Sequence, residues 1–308
     1  MLPLKVYFNH PSQFFSSLLW RLGFLFSDKV YLQIMYHLKT GERLDIRNPR
    51  SFNEKMQWLK LYNRRQEYTT MVDKYAVKLY VRDSIGEKYI IPNLGVWDSP
   101  EDIDFESLPK QFVLKTTHGG GSGGVVICRD KDKYDRYSVI RKLKRSMKQD
   151  IYRTFKEWPY KNVRRRIIAE KFLSVDDGDL KDYKIHCFGG VPRIIEVDYN
   201  RFVNHQRILY DTDWNRIEAT ISYPNDGNFT LPKPQELDEL LWVSEKLSQG
   251  IPYVRTDLYI VNHHVYFGEL TFFHDAGYGE FHPKSFGYQM GDWITLPEIE
   301  TNFDDSSI

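Results

Sequence analysis

The chain has 308 residues, 41% hydrophobic and 28% charged, with a formal net charge of +1. That length builds one large or two modest domains, and the composition excludes a disordered chain. The near-neutral charge excludes an electrostatic grip on nucleic acid as the main task, so no nucleic-acid partner is expected. The two cysteines, Cys128 and Cys187, lie in apolar strand-like runs and are expected to be buried free thiols in a reducing compartment. No Cys/His cluster suggests zinc. Aromatic residues are plentiful (21 Tyr, 19 Phe and 7 Trp), which suits stacking on sugar or adenine as well as it suits an aromatic core.

In chain order, no secretory leader is expected at the start. Residues 14–26 (FFSSLLWRLGFLF) are apolar but broken by Arg21, and too short to span a bilayer. They read either as a helix lying in a membrane interface, with Arg21 and Lys29 at the head groups, or as a helix packed on the core. Residues up to about 63 read as helical, with Ser51 and Glu54 at capping-box spacing. The apolar spacing predicts a second helix over 69–84, ended by Gly86. Short strands are expected at 89–91 and 94–97, then an acidic turn or short helix from Ser99. Residues 131–166 are basic and largely helical, a solvated face or a surface for an anionic polymer or membrane. Strands are expected at 166–173, 181–188, 193–199 and 207–210, with a polar turn at 174–178. A helix follows at 232–248, and a last strand pair at 253–261 and 264–272. The end, from about Gly291, reads as polar and loose. Helical start, mixed middle and antiparallel meander make an α+β chain.

Three segments carry chemistry. The first is FVLKTTHGGGSGGVVIC (112–128), in which Gly119, Gly120, Gly121, Ser122, Gly123 and Gly124 join two strand-like runs. Without Cβ atoms such a hairpin can close its backbone N–H groups over an anion, and Lys115 adds charge beside it, so the loop suits a lid over a nucleotide triphosphate. A Walker-A loop needs a lysine after the glycines and a following helix, and a protein kinase needs further triplets that do not occur here. The second is VRTDLYIVNHHVYFGELTFF (254–273). Alternation puts Arg255, Asp257 and Tyr259 on one face of a strand, with Glu269 and Thr271 on one face of the next. Pairing brings Asp257 beside Glu269, and two close carboxylates with phosphate oxygens are a donor set for magnesium. Arg255 can then hold a transferring phosphoryl group. The third is 167–182, where Glu170, Lys171, Phe172 and Leu173 end a buried strand and Asp182 starts another. Backbone groups there can hold adenine and the Asp182 carboxylate a ribose. His118 and His274 flank the first two segments, as phosphate or acceptor contacts or as packing. Lys184 and His186 share a strand face with Asp182, with Lys184 in reach of a nucleotide. Arg201 and Arg207 read as surface residues first and anion contacts second.

These pieces in this order, with Lys74 upstream, resemble the ATP-grasp superfamily, which includes D-alanine–D-alanine ligase. The wording NPRSFNEKMQWLKLY, DKYAVKLYV, KTTHGGGSGG, DYKIHCF and GELTFFHDAGYGEF is similar to the TupA-like ATP-grasp family, over nearly the whole chain. The resemblance implies two α+β subdomains clamping ATP behind a mainly helical N-terminal segment. The expected divisions are 1–68 helical, 69–165 with the glycine hairpin, 166–290, and a tail at 291–308. It implies Lys74 and Lys115 on the ATP phosphates and Gly119, Gly120, Gly121, Ser122, Gly123 and Gly124 over them. It implies Glu170, Lys171, Phe172 and Leu173 at adenine, Asp182 at the ribose, and Mg2+ on Asp257 and Glu269. The family's usual asparagine is Thr271 here, whose hydroxyl can still ligate.

The expected reaction is ADP-forming ligation of a carboxylate to an amine through an acyl phosphate, with Arg255 and Lys115 as the catalytic pair. The expected setting is cell-surface polysaccharide or capsule synthesis in the cytoplasm, at the inner face of the membrane if the N-terminal helix makes peripheral contact. The substrate most economical to expect is a uronic acid joined to an amino acid. The alternatives are a glycosyltransferase, on the strength of Asp211-Thr-Asp213, and a small-molecule or sugar kinase using the same grasp.

Overall fold

The computed structural model describes residues 19–174, 180–199, 205–225, 227 and 229–299. Residues 14–18 of the first apolar run, the 175–178 part of the polar turn, and Arg201 lie outside them.

Helix α1 (Asp28–Thr40) starts where the Ser27 hydroxyl accepts from the Val30 amide and ends at left-handed Gly41. Helix α2 (Phe52–Tyr62) carries the expected capping box: Ser51 accepts from the Glu54 amide while Glu54 accepts from the Ser51 amide. The single helix predicted over 69–84 is instead two, α3 (Glu67–Val72) and α4 (Val77–Ile85). Asp73 breaks it. Its backbone is extended (ψ 111°), and its carboxylate accepts from the amides of Tyr75 and Ala76 at 2.8 and 3.2 Å. That local bond replaces helical pairing, and it leaves Lys74 in a turn rather than on a helix. The strand expected at 89–91 does not form: Tyr89 ends a 3-10 turn (Glu87–Tyr89), and Ile90 makes one isolated bridge to Phe267.

Two antiparallel sheets follow. The first has the order β1-β4-β2-β3, built from β1 (Asn93–Trp97), β2 (Phe112–Thr116), β3 (Val125–Cys128) and β4 (Ile167–Lys171). The second has the order β10-β9-β5-β6-β7. Its strands are β5 (Asp182–Phe188), β6 (Val191–Tyr199), β7 (Gln206–Tyr210), β9 (Tyr253–Val261) and β10 (His264–Thr271). The predicted meander and last hairpin are present; Asn262 and His263 turn that hairpin with φ of 49° and 60°. A short pair, β8 (Thr220–Ile221) with β11 (Phe281–His282), lies apart. Between the first sheet's strands run α5 (Arg136–Met147) and α6 (Ile151–Phe155).

The two sheets have separate cores. Leu114, Val126, Leu143 and Ile167 centre the smaller one, under the first sheet. The larger core joins the second sheet to α7 (Leu237–Ser248) and also takes in Tyr31, Met56, Met71 and Val81 from α1 to α4. The N-terminal helices therefore pack with the second sheet, although they precede the first in sequence. Packing also continues past Met290: helix α8 (Lys284–Asp292), not anticipated from the sequence, is followed by buried Ile294. Cys128 and Cys187 are both buried and free, as expected.

Candidate active site

The glycine hairpin pairs β2 with β3 in register, Lys115 opposite Val125. Its base is tight. A Cβ on Gly124 would sit 2.3 Å from Thr116 Oγ1, and that hydroxyl shares a 2.9 Å hydrogen bond with Ser146. Only glycine lets the loop return so close to its own strand. The chain that holds Lys74 is tied to the same strand, because the Lys74 amide donates to the Thr117 carbonyl at 3.0 Å. His118 is buried beside the loop, and burial lowers its pKa, so it sits there as a neutral ring.

The lysines are held by acids. Lys115 and Lys78 both pair with buried Glu170, at 2.7 and 2.5 Å, and Lys74 pairs with Glu269 across the gap between the sheets. Lys78, one turn beyond Lys74, was not singled out from sequence. Burial works against the charge on Glu170, but Lys115 and Lys78 outweigh it and hold the carboxyl below its ordinary range. Lys74, Lys78, Ile90, Ile91, Glu170, Phe267 and Gly268 line the crevice where the two sheets meet. A surface depression beside Pro192, Trp242 and Glu245 contains none of these groups.

The second sheet presents a charged face in three rungs. Glu196, Lys184, Asp257 and Glu269 stand side by side on four successive strands. The next rung sets Arg207 beside Asp198 and Asp182. The third sets His186 beside Arg255 and Thr271. Cross-strand neighbours project from the same face, which is why residues scattered over 182–271 converge. A bulge at Gly268 fixes the register of Glu269. There a side chain would meet the Asp257 carbonyl at 2.9 Å.

Nearly every charge on this face is buried and partnered. Arg255 grips Asp257 through two bonds of 2.7 Å, and it also donates to His274 Nδ1 at 2.6 Å and to the Thr271 hydroxyl at 3.4 Å. Lys184 lies 2.9 Å from Asp182 and 2.6 Å from Asp198. Arg207, expected at the surface, is instead 4% exposed and bonded to Asp198 and Glu196, each at 2.9 Å. Glu196, at 0% exposure, also accepts from His186 at 3.1 Å. Burial raises its carboxyl, but Arg207, the hydrogen bond from His186 and Arg255 outweigh that and hold it well below the carboxylate range. Asp257 is the exception: burial pushes it up to about 7, with Asp182 adding to the rise against the pull of Arg255. Asp257, Glu269 and the Thr271 hydroxyl are a hard-oxygen donor set that fits magnesium.

A second trio, His186, Glu196 and His274, has ligand-type atoms within 4.8 Å of one another. Its protonation argues against an ion. An arginine only donates, so His274 Nδ1 offers a lone pair and, in the neutral ring, Nε2 carries the proton. The ring is neutral because burial drives its pKa down to about 3. A protonated Nε2 does not ligate; the trio supports Arg255 and Glu196 instead. His274 lies on a turn with three consecutive positive φ values, 47°, 52° and 67° at Asp275, Ala276 and Gly277. Helix α2 holds that turn from one face: Lys60 Nζ donates to the Ala276 carbonyl at 2.7 Å, Gln57 to Gly277 at 2.8 Å, and Asn53 to Gly279 at 2.8 Å. Burial brings the Lys60 pKa down to about 7, with Glu157 opposing.

Of the remaining sequence candidates, Phe172 takes the Arg129 guanidinium 5.5 Å over its ring. Lys171 ends β4 and is exposed, and Leu173 follows half-buried. Asp211 accepts from the amides of Asp213 and Asn215 at 3.0 and 2.7 Å, so the Asp-x-Asp motif is a self-capped turn.

The family model for the TupA-like ATP-grasp matches residues 54–295. No curated protein matches. Among solved structures, D-alanine–D-alanine ligase from Bacillus anthracis complexed with ATP is 17% identical, over 66% of this chain and 53% of that one, with a TM-score of 0.38. N5-carboxyaminoimidazole synthetase from Staphylococcus aureus is 17% identical over 66% and 44%, with a TM-score of 0.39. An ADP complex of N5-carboxyaminoimidazole ribonucleotide synthetase is 14% identical over 71% and 50%, with a TM-score of 0.43. The chain spans about half the length of these structures.

Proposed function

Because the chain belongs to the TupA-like ATP-grasp family, we propose that it is an ATP- and magnesium-dependent ligase that joins a carboxylate to an amine and releases ADP. The observation that carries this reading is the facing of two unlike surfaces: lysines beside a glycine hairpin on one sheet, and the rung Asp257–Glu269 with Arg255 on the other. ATP lies between them. Lys74 and Lys115 neutralise its phosphates, the loop of Gly119, Gly120, Gly121, Ser122, Gly123 and Gly124 covers them, and Glu170, Lys171, Phe172 and Leu173 border the adenine. Asp182 meets the ribose, with Lys184 beside it. Asp257, Glu269 and Thr271 would hold Mg2+, which supplies neutralisation of the triphosphate charge.

The chain's own part is positioning and charge. Lys74 and Lys115 exchange their carboxylate partners, Glu269 and Glu170, for phosphate oxygens. Arg255, fixed by Asp257 and His274, keeps its guanidinium in the face and stabilises the phosphoryl group as it passes from ATP to the carboxylate, then the oxyanion formed when the amine attacks the acyl phosphate, which collapses to the amide as inorganic phosphate leaves. The substrate proposed is a uronic-acid carboxylate receiving an amino acid, in cell-surface polysaccharide or capsule synthesis. The location that goes with it is the cytoplasm, at the inner face of the membrane.

The test is ADP release from Mg-ATP by purified protein and by Glu269→Ala, with a panel of uronic acids crossed with amino acids. ADP formed only with acid and amine together, and lost in the variant, is the expected result. ADP formed with a sugar that lacks a carboxylate makes the protein a kinase, and no nucleotide turnover or binding overturns the reading.

A further inference from the structure

Among the described residues nineteen large hydrophobic side chains are exposed, and seven of them fall within residues 20–34. So dense a cluster is not the scattered apolar exposure normal for a protein surface. Phe24 and Leu25 are 73% and 65% exposed, both on a 3-10 turn (Gly23–Leu25). Leu22 and Phe26 flank them, and Val30 and Ile34, four apart on α1, extend the patch along one helix face.

The turn that carries these side chains is anchored. Gly23 lies so close to the Tyr31 ring that a Cβ there would be 2.7 Å from it. Trp20 donates from its indole to Thr154 at 3.1 Å, and Tyr31 donates to the Thr154 carbonyl at 2.8 Å. The core thus holds the backbone while the apolar side chains face away from it.

Within the stretch that carries the patch the exposed charges have one sign. From residue 19 to residue 41 the exposed charged side chains are Arg21, Lys29 and Lys39. The acid in that stretch, Asp28, is buried and paired with Arg64 and Lys156. Exposed Arg153 adds a fourth cation, its guanidinium 5.1 Å over the Trp20 ring. No helix among the described residues is long and apolar enough to cross a membrane. Apolar side chains on a fixed turn, rimmed by cations, with the partly exposed carboxylates of the adjoining segments, Glu42 and Asp150, each paired with a further cation (Lys284 and Arg165), match an anionic lipid surface: rings and aliphatic groups enter the head-group boundary while Arg and Lys meet the lipid phosphates.

We propose that the turn around Phe24 and Leu25, with α1 behind it, docks the protein peripherally on an anionic bilayer. This deepens the location part of the reading above by naming the surface and the lipid charge it takes, and it does not depend on the ligase chemistry. The docking puts a soluble nucleotide site beside a lipid face, where a membrane-borne acceptor is at high local concentration.

The experiment is co-sedimentation of the full chain with phosphatidylcholine vesicles, with and without phosphatidylglycerol, at low and high salt. The wild type is expected to pellet roughly tenfold more with the anionic vesicles, and to be released by salt. The double variant Phe24→Ser/Leu25→Ser is expected to lose that binding on vesicles of every composition. Arg21→Glu/Lys29→Glu is expected to lose only the preference for anionic lipid. Both variants keep the wild-type melting temperature and wild-type ADP release in solution, which separates failure of the docking from failure of the ligase reading. Absence of vesicle binding, or equal binding by wild type and the double variant, overturns the proposal. So does a concentration-dependent dimer that Phe24→Ser/Leu25→Ser dissociates without any vesicle effect, since the patch would then cover a second copy of the chain.

Discussion

The two sheets are built on opposite principles. The first is a largely apolar sheet whose functional parts are backbone and lysine ends: a hairpin that only glycine can close, with Lys115 on β2, and Lys74 and Lys78 from the neighbouring turn and helix, held by Glu170 and Glu269. The second fixes its chemistry in side chains that are themselves buried, with Arg207, Glu196, Arg255 and Asp257 locked in mutual pairs. Buried charges cost several kcal/mol each to desolvate unless they are paired. The lattice therefore contributes little net stability, but it holds an arginine and two carboxylates in one arrangement before substrate arrives. The first sheet covers and releases; the second presents a fixed field. A clamp needs both, since pre-oriented charge lowers a barrier only where the ligand is held against it.

Breaking the lattice has the largest expected effect. Glu196→Gln leaves Arg207 and Arg255 short of a buried countercharge and should destabilise by about 3–5 kcal/mol, measured by chemical denaturation. Arg255→Lys keeps the charge but loses the fork to Asp257 and the bond to His274. Its kcat should fall about a hundredfold to a thousandfold with a smaller change in KM for ATP, measured by ADP release. On the other sheet, Gly124→Ala forces a methyl group against Thr116 and should cost about 1–3 kcal/mol, with a raised KM for ATP. A smaller, diagnostic effect concerns pH. Burial depresses the pKa values of His274, to about 3, and of His186, so between their ordinary 6.5 and the depressed values the unfolded chain binds protons that the folded chain refuses. These two rings therefore contribute a loss of stability as pH drops below about 6.5, opposed by Asp257 and Glu157, whose raised carboxyls take up protons on folding in the same range; His274→Asn, which still accepts from Arg255, should remove its share of that loss relative to wild type.

Much of this was legible in the sequence, for physical reasons that differ by region. The sequence reading sets Asp257 beside Glu269 and the structure pairs them, but through the bulge at Gly268, because unbroken alternation across the Asn262-His263 turn would oppose Asp257 to Gly268. The glycine run between two β-branched segments marked the hairpin, and Ser51 with Glu54 marked a helix start. What escaped were effects of distant partners. Arg207 reads as a surface charge because nothing local shows that Asp198 and Glu196 stand opposite it. The helix predicted over 69–84 fails at Asp73, where a side chain captures two amides and a second bond, 2.7 Å from Arg166, fixes the break. The role of α2 in holding the 276–279 turn depends on tertiary packing over more than two hundred residues, and Asn53, Gln57 and Lys60 look like an ordinary polar stripe. Helix α8 was hidden by Gly287 and Gly291, poor helix formers that are present because the chain packs closely there; a Cβ on Gly291 would meet the Arg50 carbonyl at 2.2 Å.

The division of labour between the sheets is tested most directly by calorimetric titration of ATP, with and without Mg2+, into wild type, Lys115→Ala and Glu269→Ala. Lys115→Ala should weaken ATP binding by a similar factor whether or not magnesium is present, because its contact is with phosphate on the first sheet. Glu269→Ala should abolish the gain in affinity that magnesium brings while leaving magnesium-free binding close to wild type. Equal loss in both variants under both conditions, or full magnesium dependence retained in Glu269→Ala, would contradict the assignment of phosphate to one sheet and metal to the other.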